Sequence, residues 1–101
     1  MPAIDIIKSA LLGIVRKGDD HTSRQILLML CLRSGPGTVR ALADEMGVIK
    51  PAIVRGVNRL EVDHYAERRP DPPDRRSVKI VLTKRGEKFV DDMLKTAEKA
   101  T

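Results

Sequence analysis

The side chains in this sequence that are equipped for chemistry are mostly guanidinium groups, and they are gathered together. RRPDPPDRR, from Arg68 to Arg76, sets two arginine pairs around three prolines and two aspartates. From Arg75 to Lys88, six cations (Arg75, Arg76, Lys79, Lys84, Arg85 and Lys88) stand against one acid, Glu87. That net of +5 equals the net charge of all 101 residues. Arginine donates from a planar fork that matches phosphate oxygens and base edges. A basic excess confined to one segment therefore predicts an anionic partner, where an even spread would predict only solubility.

Other chemistries find no constellation. Cys31 is the one cysteine, so no intramolecular disulfide is expected, and with His21 and His64 it offers too few ligands for a zinc cluster. No glycine-rich phosphate loop is present, and no nucleophile has an evident base. The expectation is no enzyme, no cofactor and no metal. Cys31 lies mid-run in apolar sequence and reads as a buried small hydrophobe; His21 and His64 read as loop and helix-end residues. No apolar run is long enough to span a bilayer, and no basic stretch precedes an apolar one at the N-terminus. No membrane partner, no leader and a cytoplasmic location are expected.

The elements that must carry the arginines can be read from periodicity. With 42% hydrophobic residues but only one Phe, one Tyr and no Trp, the chain can build one core, and that core must be aliphatic. Ile4, Ile7, Leu11, Ile14 and Val15 recur at helical spacing, a first helix ending near Gly18. Thr22 and Gln25 form a capping box for a second helix. Its middle, ILLMLCL, is apolar all round and predicts burial, and Gly35-Pro36-Gly37 stops it. Thr38 caps a third helix with Leu42, Ala43 and Met46 inward, and Gly47 ends it. A fourth starts at Lys50 with Pro51 in its first turn. Ile53, Val57 and Leu60 lie inward, Gly56 permits close approach, and Lys50, Val54, Arg55, Asn58 and Arg59 lie outward. Tyr65 to Arg69 and the alternation of Val78, Ile80 and Leu82 predict two strands. Thr83 then caps a helix from Lys84 to about Lys99, with Phe89, Val90, Met93, Leu94 and Ala97 inward.

A tight helix–turn–helix followed by a two-stranded ribbon is a winged helix–turn–helix, an α+β fold that is mostly α. It occupies residues 1–101 as one domain, with the helix–turn–helix at 38–63 and the wing at 65–82. Residues 1–18 and 84–101 form the flanking helices. Such a domain places the outward face of its fourth helix in a DNA major groove, where Arg55 suits guanine, Lys50 a phosphate or guanine edge, and Asn58 adenine. Pro51, Val54 and Arg59 share that face. Pro70 to Asp74 reads as the stiff turn of the wing. It carries Arg75 and Arg76 toward a minor groove, with Asp74 bracing Arg76 and Lys79 behind them. Thr38 and Arg40 are candidates for phosphate contacts.

TVRALADEMGVIKPAIVRGVNRLE followed by ERRPDPPDRRSVKIVLTKRGEKFV resembles the MarR (multiple-antibiotic-resistance regulator) family of bacterial transcription factors. The family's wing signature is matched by Asp71-Pro72, Asp74-Arg75-Arg76, Leu82-Thr83 and Gly86. Its recognition-helix pattern is matched by Ile53, Arg55, Val57 and Arg59-Leu60-Glu61. The resemblance runs from about Thr22 to Val90. It implies a homodimer on a pseudo-palindromic operator of double-stranded DNA, usually a repressor, in the bacterial cytoplasm and associated with the nucleoid. It also implies a small-molecule effector, phenolic or anionic. Two positions depart from the pattern. Ile49 stands where a polar helix start is usual, and His64, where glycine often ends the recognition helix, must take a left-handed conformation or let the helix end differently. The resemblance further implies that Ile7, Leu11, Ile14, Val15, Phe89, Met93 and Leu94 make the dimer contacts. A winged helix can also serve as a protein-interaction module or bind DNA without sequence preference; removing the outward arginines separates these readings.

Overall fold

The computed structural model of the chain describes residues 3–16, 21–71 and 74–99, with side chains described for all of these except 71 and 74–77. Five helices and one antiparallel ribbon follow in the order α1 (Ala3–Arg16), α2 (Ser23–Arg33), α3 (Val39–Met46), α4 (Lys50–Val62), β1 (Ala66–Asp71), β2 (Asp74–Leu82) and α5 (Lys84–Glu98). The expected end of the first helix near Gly18 lies outside the described residues.

Three helices begin on a threonine whose hydroxyl accepts an otherwise orphaned backbone N–H. Thr22 accepts from Gln25 (3.2 Å), Thr38 from Ala41 (3.1 Å) and Thr83 from Gly86 (3.1 Å). Gln25 Oε1 completes the capping box by accepting from the Thr22 N–H at 3.0 Å. Such caps contribute ~1 kcal/mol each. α4 differs: Ile49 caps it with no side-chain hydrogen bond, and Pro51 in the first turn has no N–H to leave unpaired.

Leu28, Met29, Ile53, Val57, Leu60, Ile80 and Val90, from α2, α4, β2 and α5, are fully buried, and Tyr65, Phe89, Leu42 and Met93 surround them. Gly56 allows α4 to approach α2: a Cβ there would stand 3.2 Å from a Leu28 methyl. α2 is less enclosed than its apolar sequence predicts. Leu28, Met29 and Leu32 are buried, but Leu27 is exposed, because α3, α4, α5 and β2 cover only part of its circumference. Cys31 is half-buried beside the core. Burial, reinforced by the nearby charge of Glu45, pushes its thiol up, away from the reactive thiolate.

His21 is more than a loop residue. Its ring packs edge-on against both Tyr65 and Phe89, with centroids 5.2 Å apart in each case, and neither ring nitrogen has a partner. α1 lies along α5, and Ile14, Phe89 and Met93 fill that contact. These three are therefore buried within the single chain and form part of its own core. Ile7, Leu11, Val15 and Leu94 remain exposed. Leu94 is thereby turned away from the inward stripe predicted for α5.

Candidate nucleic-acid interface

α3 and α4 are joined through Gly47, Val48 and Ile49. Gly47 takes the left-handed conformation (φ 67°), and the Val48 N–H reaches back to the Ala43 carbonyl at 3.1 Å, so the chain reverses without leaving that carbonyl unpaired. Ala52, Ile53, Val57 and Leu60 bury one side of α4. At ~100° per residue, Lys50, Val54 and Asn58 then form one outward ridge, and Pro51, Arg55 and Arg59 the next. All six are exposed.

The outward polar residues divide into two groups. Arg59 Nε donates to Asp63 at 3.2 Å, one helical turn on, and Asn58 Oδ1 accepts from Arg68 Nη2 at 2.8 Å. Arg68 also pairs with Glu61. By contrast, neither Lys50 nor Arg55 has a hydrogen bond or ion pair among the described residues, and the same holds for Arg40 on α3. Lys50 and Arg55 are thus the outward cations of α4 left without a polar partner among the described residues. Asn58 and Arg59 already have internal partners, whereas the Thr38 hydroxyl accepts from Ala41 and keeps its own O–H to donate.

The link from Arg68 to α4 was missed by sequence reasoning. Register supplies the signal. Ala66 faces Leu82 and Arg68 faces Ile80, so strand alternation turns Arg68 to the same side as the buried Ala66 and Ile80, toward α4. Glu67 and Arg69 lie on the other side, where they pair with each other. Arg69 stands directly opposite Lys79, and its Nε donates to Glu67 Oε1 at 2.7 Å, which offsets the like charge.

The ribbon itself is longer than predicted. β1 runs from Ala66 through Asp71 and β2 begins at Asp74, so Pro70, Asp71 and Asp74 belong to strands and not to a long stiff turn. Proline is tolerated at Pro70 because β1 is an edge, paired on one side only. The register then jumps: Pro70 faces Val78 and Asp71 faces Asp74, so β2 inserts Arg75, Arg76 and Ser77 where β1 inserts nothing. The side chains of Asp74, Arg75 and Arg76, including the expected brace between Asp74 and Arg76, lie outside the described residues.

At its other end the wing is fastened tightly. His64 is left-handed (φ 63°), as the sequence requires if α4 is to stop there, and its carbonyl accepts from the Thr83 hydroxyl at 2.6 Å. The Thr83 N–H donates to the Tyr65 carbonyl at 3.1 Å. Gly86 must be glycine because a Cβ would sit 2.0 Å from that same carbonyl oxygen. The guanidinium of Arg85 lies 4.7 Å above the Tyr65 ring, so this member of the basic run stabilises the root of the wing. On the outer edge of β2, Gly37 exchanges both backbone hydrogen bonds with Ile80 (3.0 and 2.7 Å) and fixes the entry to α3 against the ribbon.

Among the described residues, no helix is long and apolar enough to cross a membrane, and no group of three His, Cys, Asp or Glu side chains could hold a metal ion. No curated protein matches the sequence. Solved structures do. The transcriptional regulator Tm0710 from Thermotoga maritima is 28% identical, with a TM-score of 0.86 over 96% of this chain and 68% of that one. Wild-type MarR from E. coli, in its apo form, is 25% identical, with a TM-score of 0.75 over 94% and 71%. CouR from Rhodococcus jostii RHA1, bound to p-coumaroyl-CoA, is 25% identical, with a TM-score of 0.77 over 94% and 66%. The chain spans about two thirds of the length of these proteins. The MarR family model matches residues 22–77, from the cap of α2 into the wing and through the whole helix–turn–helix. The chain therefore belongs to the MarR family of transcriptional regulators, a family of DNA-binding regulators and not of enzymes.

Proposed function

We propose that this chain reads double-stranded DNA by sequence as a homodimer and represses transcription from the site it holds, on the nucleoid of a bacterial cytoplasm. In this reading α4 enters the major groove, Arg55 forks onto guanine and Lys50 takes a phosphate or a second guanine edge. Thr38 and Arg40 meet the flanking phosphates. Arg75, Arg76 and Lys79 of the wing follow the backbone into the adjacent minor groove. The observation that supports this best is the division on α4: other polar groups on its outer side are tied internally, while Lys50 and Arg55 are exposed and have no partner among the described residues. A family that regulates transcription, with a helix–turn–helix complete in the matched segment, supports DNA as the partner of those two cations.

The homodimer rests on the exposed apolar residues Ile7, Leu11 and Val15 of α1 and Leu94 of α5. A small-molecule effector belongs to the proposal as well, since the CouR structure carries p-coumaroyl-CoA.

The test is selection of bound duplexes from a random library at about 0.15 M salt, where phosphate-only binding is weakened. An enriched inverted repeat with half-sites about one helical turn apart supports a specific dimer. A single enriched half-site removes the dimer, and no enrichment removes sequence-specific reading in favour of nonspecific or protein-binding use. On an enriched site, Arg76→Ala should weaken binding across all sequences and reduce the salt slope by roughly one or less.

A further inference from the structure

The reading face of α4 is not wholly polar. Ile49, at the head of the helix, is 68% exposed, and Val54, five residues on, is 38% exposed. They flank the unpaired Lys50 and Arg55, in the N-terminal half of the helix, the part that reaches base edges when such a helix enters a major groove. Ile49 also occupies the position where α2, α3 and α5 each hold a capping threonine, so α4 gives up a backbone hydrogen bond to place an isoleucine in solvent. Single exposed aliphatics are ordinary on a protein surface. Two of them at and just inside the start of one helix, near two cations that have no partner among the described residues, form a mixed surface whose apolar part needs an apolar partner. In the major groove that partner is the 5-methyl group of thymine, the one apolar feature any base pair presents there.

We infer that Ile49 and Val54 read thymine methyl groups, so that each half-site carries thymine beside the guanine taken by Arg55. This rests on the major-groove reading proposed above. It adds to that reading a recognition made by contact without hydrogen bonds, and it names the base that supplies it. Cations alone would accept a G·C-rich site of many sequences; the aliphatic pair selects those with a methyl at the adjoining step.

The test uses the full chain and an operator enriched from the random library, remade with deoxyuridine in place of each half-site thymine in turn. That change removes the methyl group and leaves every hydrogen-bonding atom. One or two of the replacements should raise Kd about three- to five-fold, the effect of keeping one methyl-sized group in water. With Val54→Ala one of those losses should vanish, and with Ile49→Ser the other. Both variants should fold: alanine favours helix, and serine supplies the missing cap, so the thermal stability of Ile49→Ser should rise while its discrimination falls. An operator whose deoxyuridine forms all bind like the thymine form would overturn the methyl contact and leave the DNA-reading function standing. So would losses of equal size in the wild type and in both variants. Failure to enrich any duplex would overturn the reading function and this inference with it.

Discussion

The root of the wing and the outward face of α4 treat their polar groups in opposite ways. At the root, the Thr83 hydroxyl both donates to the His64 carbonyl and accepts from Gly86, and the Thr83 N–H meets the Tyr65 carbonyl. The arginine nearest to it, Arg85, lies over an aromatic ring. On α4, Lys50 and Arg55 have no partner among the described residues. The difference teaches where this small fold is rigid and where it is left open. A wing can place a side chain in a groove only if its base does not move relative to the recognition helix, so satisfied hydrogen bonds and a forced glycine belong there. A reading face must keep its donors unsatisfied until the ligand arrives, because each internal bond would have to be broken before a base edge could be met. Arg68 spans the two regions, on the wing but bonded to Glu61 and Asn58 of α4.

The sharpest way to break this contrast is Gly86→Ala. The added methyl would meet the Tyr65 carbonyl oxygen at 2.0 Å, a backbone atom with nowhere to rotate. Either α5 shifts or the hydrogen bond from Thr83 is lost. The expected destabilisation is roughly 2–4 kcal/mol, read as a fall in Tm of more than about 8 °C in a thermal melt. A melt within a degree or so of wild type would mean that the root yields easily and that the proposed rigidity is absent.

On the open side the expectation is the reverse. Arg55→Ala removes a side chain with no partner among the described residues, so the melt should move by less than about 0.5 kcal/mol. Discrimination at one base position per half-site should relax by about 1–3 kcal/mol, measured as the ratio of Kd values for matched and mismatched duplexes. If Arg55→Ala lowers stability instead, the residue is structural and the face is not a reading surface.

Arg68→Gln tests the join. The pair with Glu61 is about one-third exposed on each side, so its loss should lower stability by less than about 1 kcal/mol. Binding should weaken about three- to ten-fold because wing and helix no longer arrive pre-set. Since Arg68 is assigned no phosphate, the dependence of log Kd on log salt should keep its wild-type slope; a slope reduced by about one would reassign Arg68 as a direct backbone contact.

Most of the fold was legible because local signals agree. Thr22, Thr38 and Thr83 sit where helices start, Gly47 where one ends, and the apolar period matches the buried sides of α3 and α4. The wing signature turned out to have a physical cause. Thr83 and Gly86 belong together because the threonine cap, the Tyr65 carbonyl and the missing Cβ are three parts of one junction. What escaped the sequence was tertiary. That Ile14, Phe89 and Met93 are buried between α1 and α5 was not legible, because an apolar stripe does not say which surface covers it. The length of the strands was hidden by the prolines, which look like a turn yet fit an edge. The bond between Asn58 and Arg68 was hidden because it depends on strand register, and register is set by pairing partners ten and more residues away.

A last pair marks the scale below which surface bonds stop mattering. Arg33 on α2 donates to Asp91 on α5 at 2.9 Å, and that hydrogen bond holds the Asp91 carboxyl below its usual range. A carboxyl lowered in the folded chain adds stability above the unfolded value of about 3.9, and that contribution is lost as pH falls through the folded value. Both partners are exposed, so screening leaves the effect small. Melts taken between pH 5 and pH 2.5 should show Asp91→Asn losing slightly less stability than wild type over that window, with the two curves parallel above pH 5. Equal acid sensitivity would mean the pair holds nothing, and a large difference would make α2 and α5 depend on it. That last outcome would break the contrast from the other side, because an exposed ion pair would then rival the hydrogen-bonded junction at Thr83 in fixing how α5 sits against the rest of the domain.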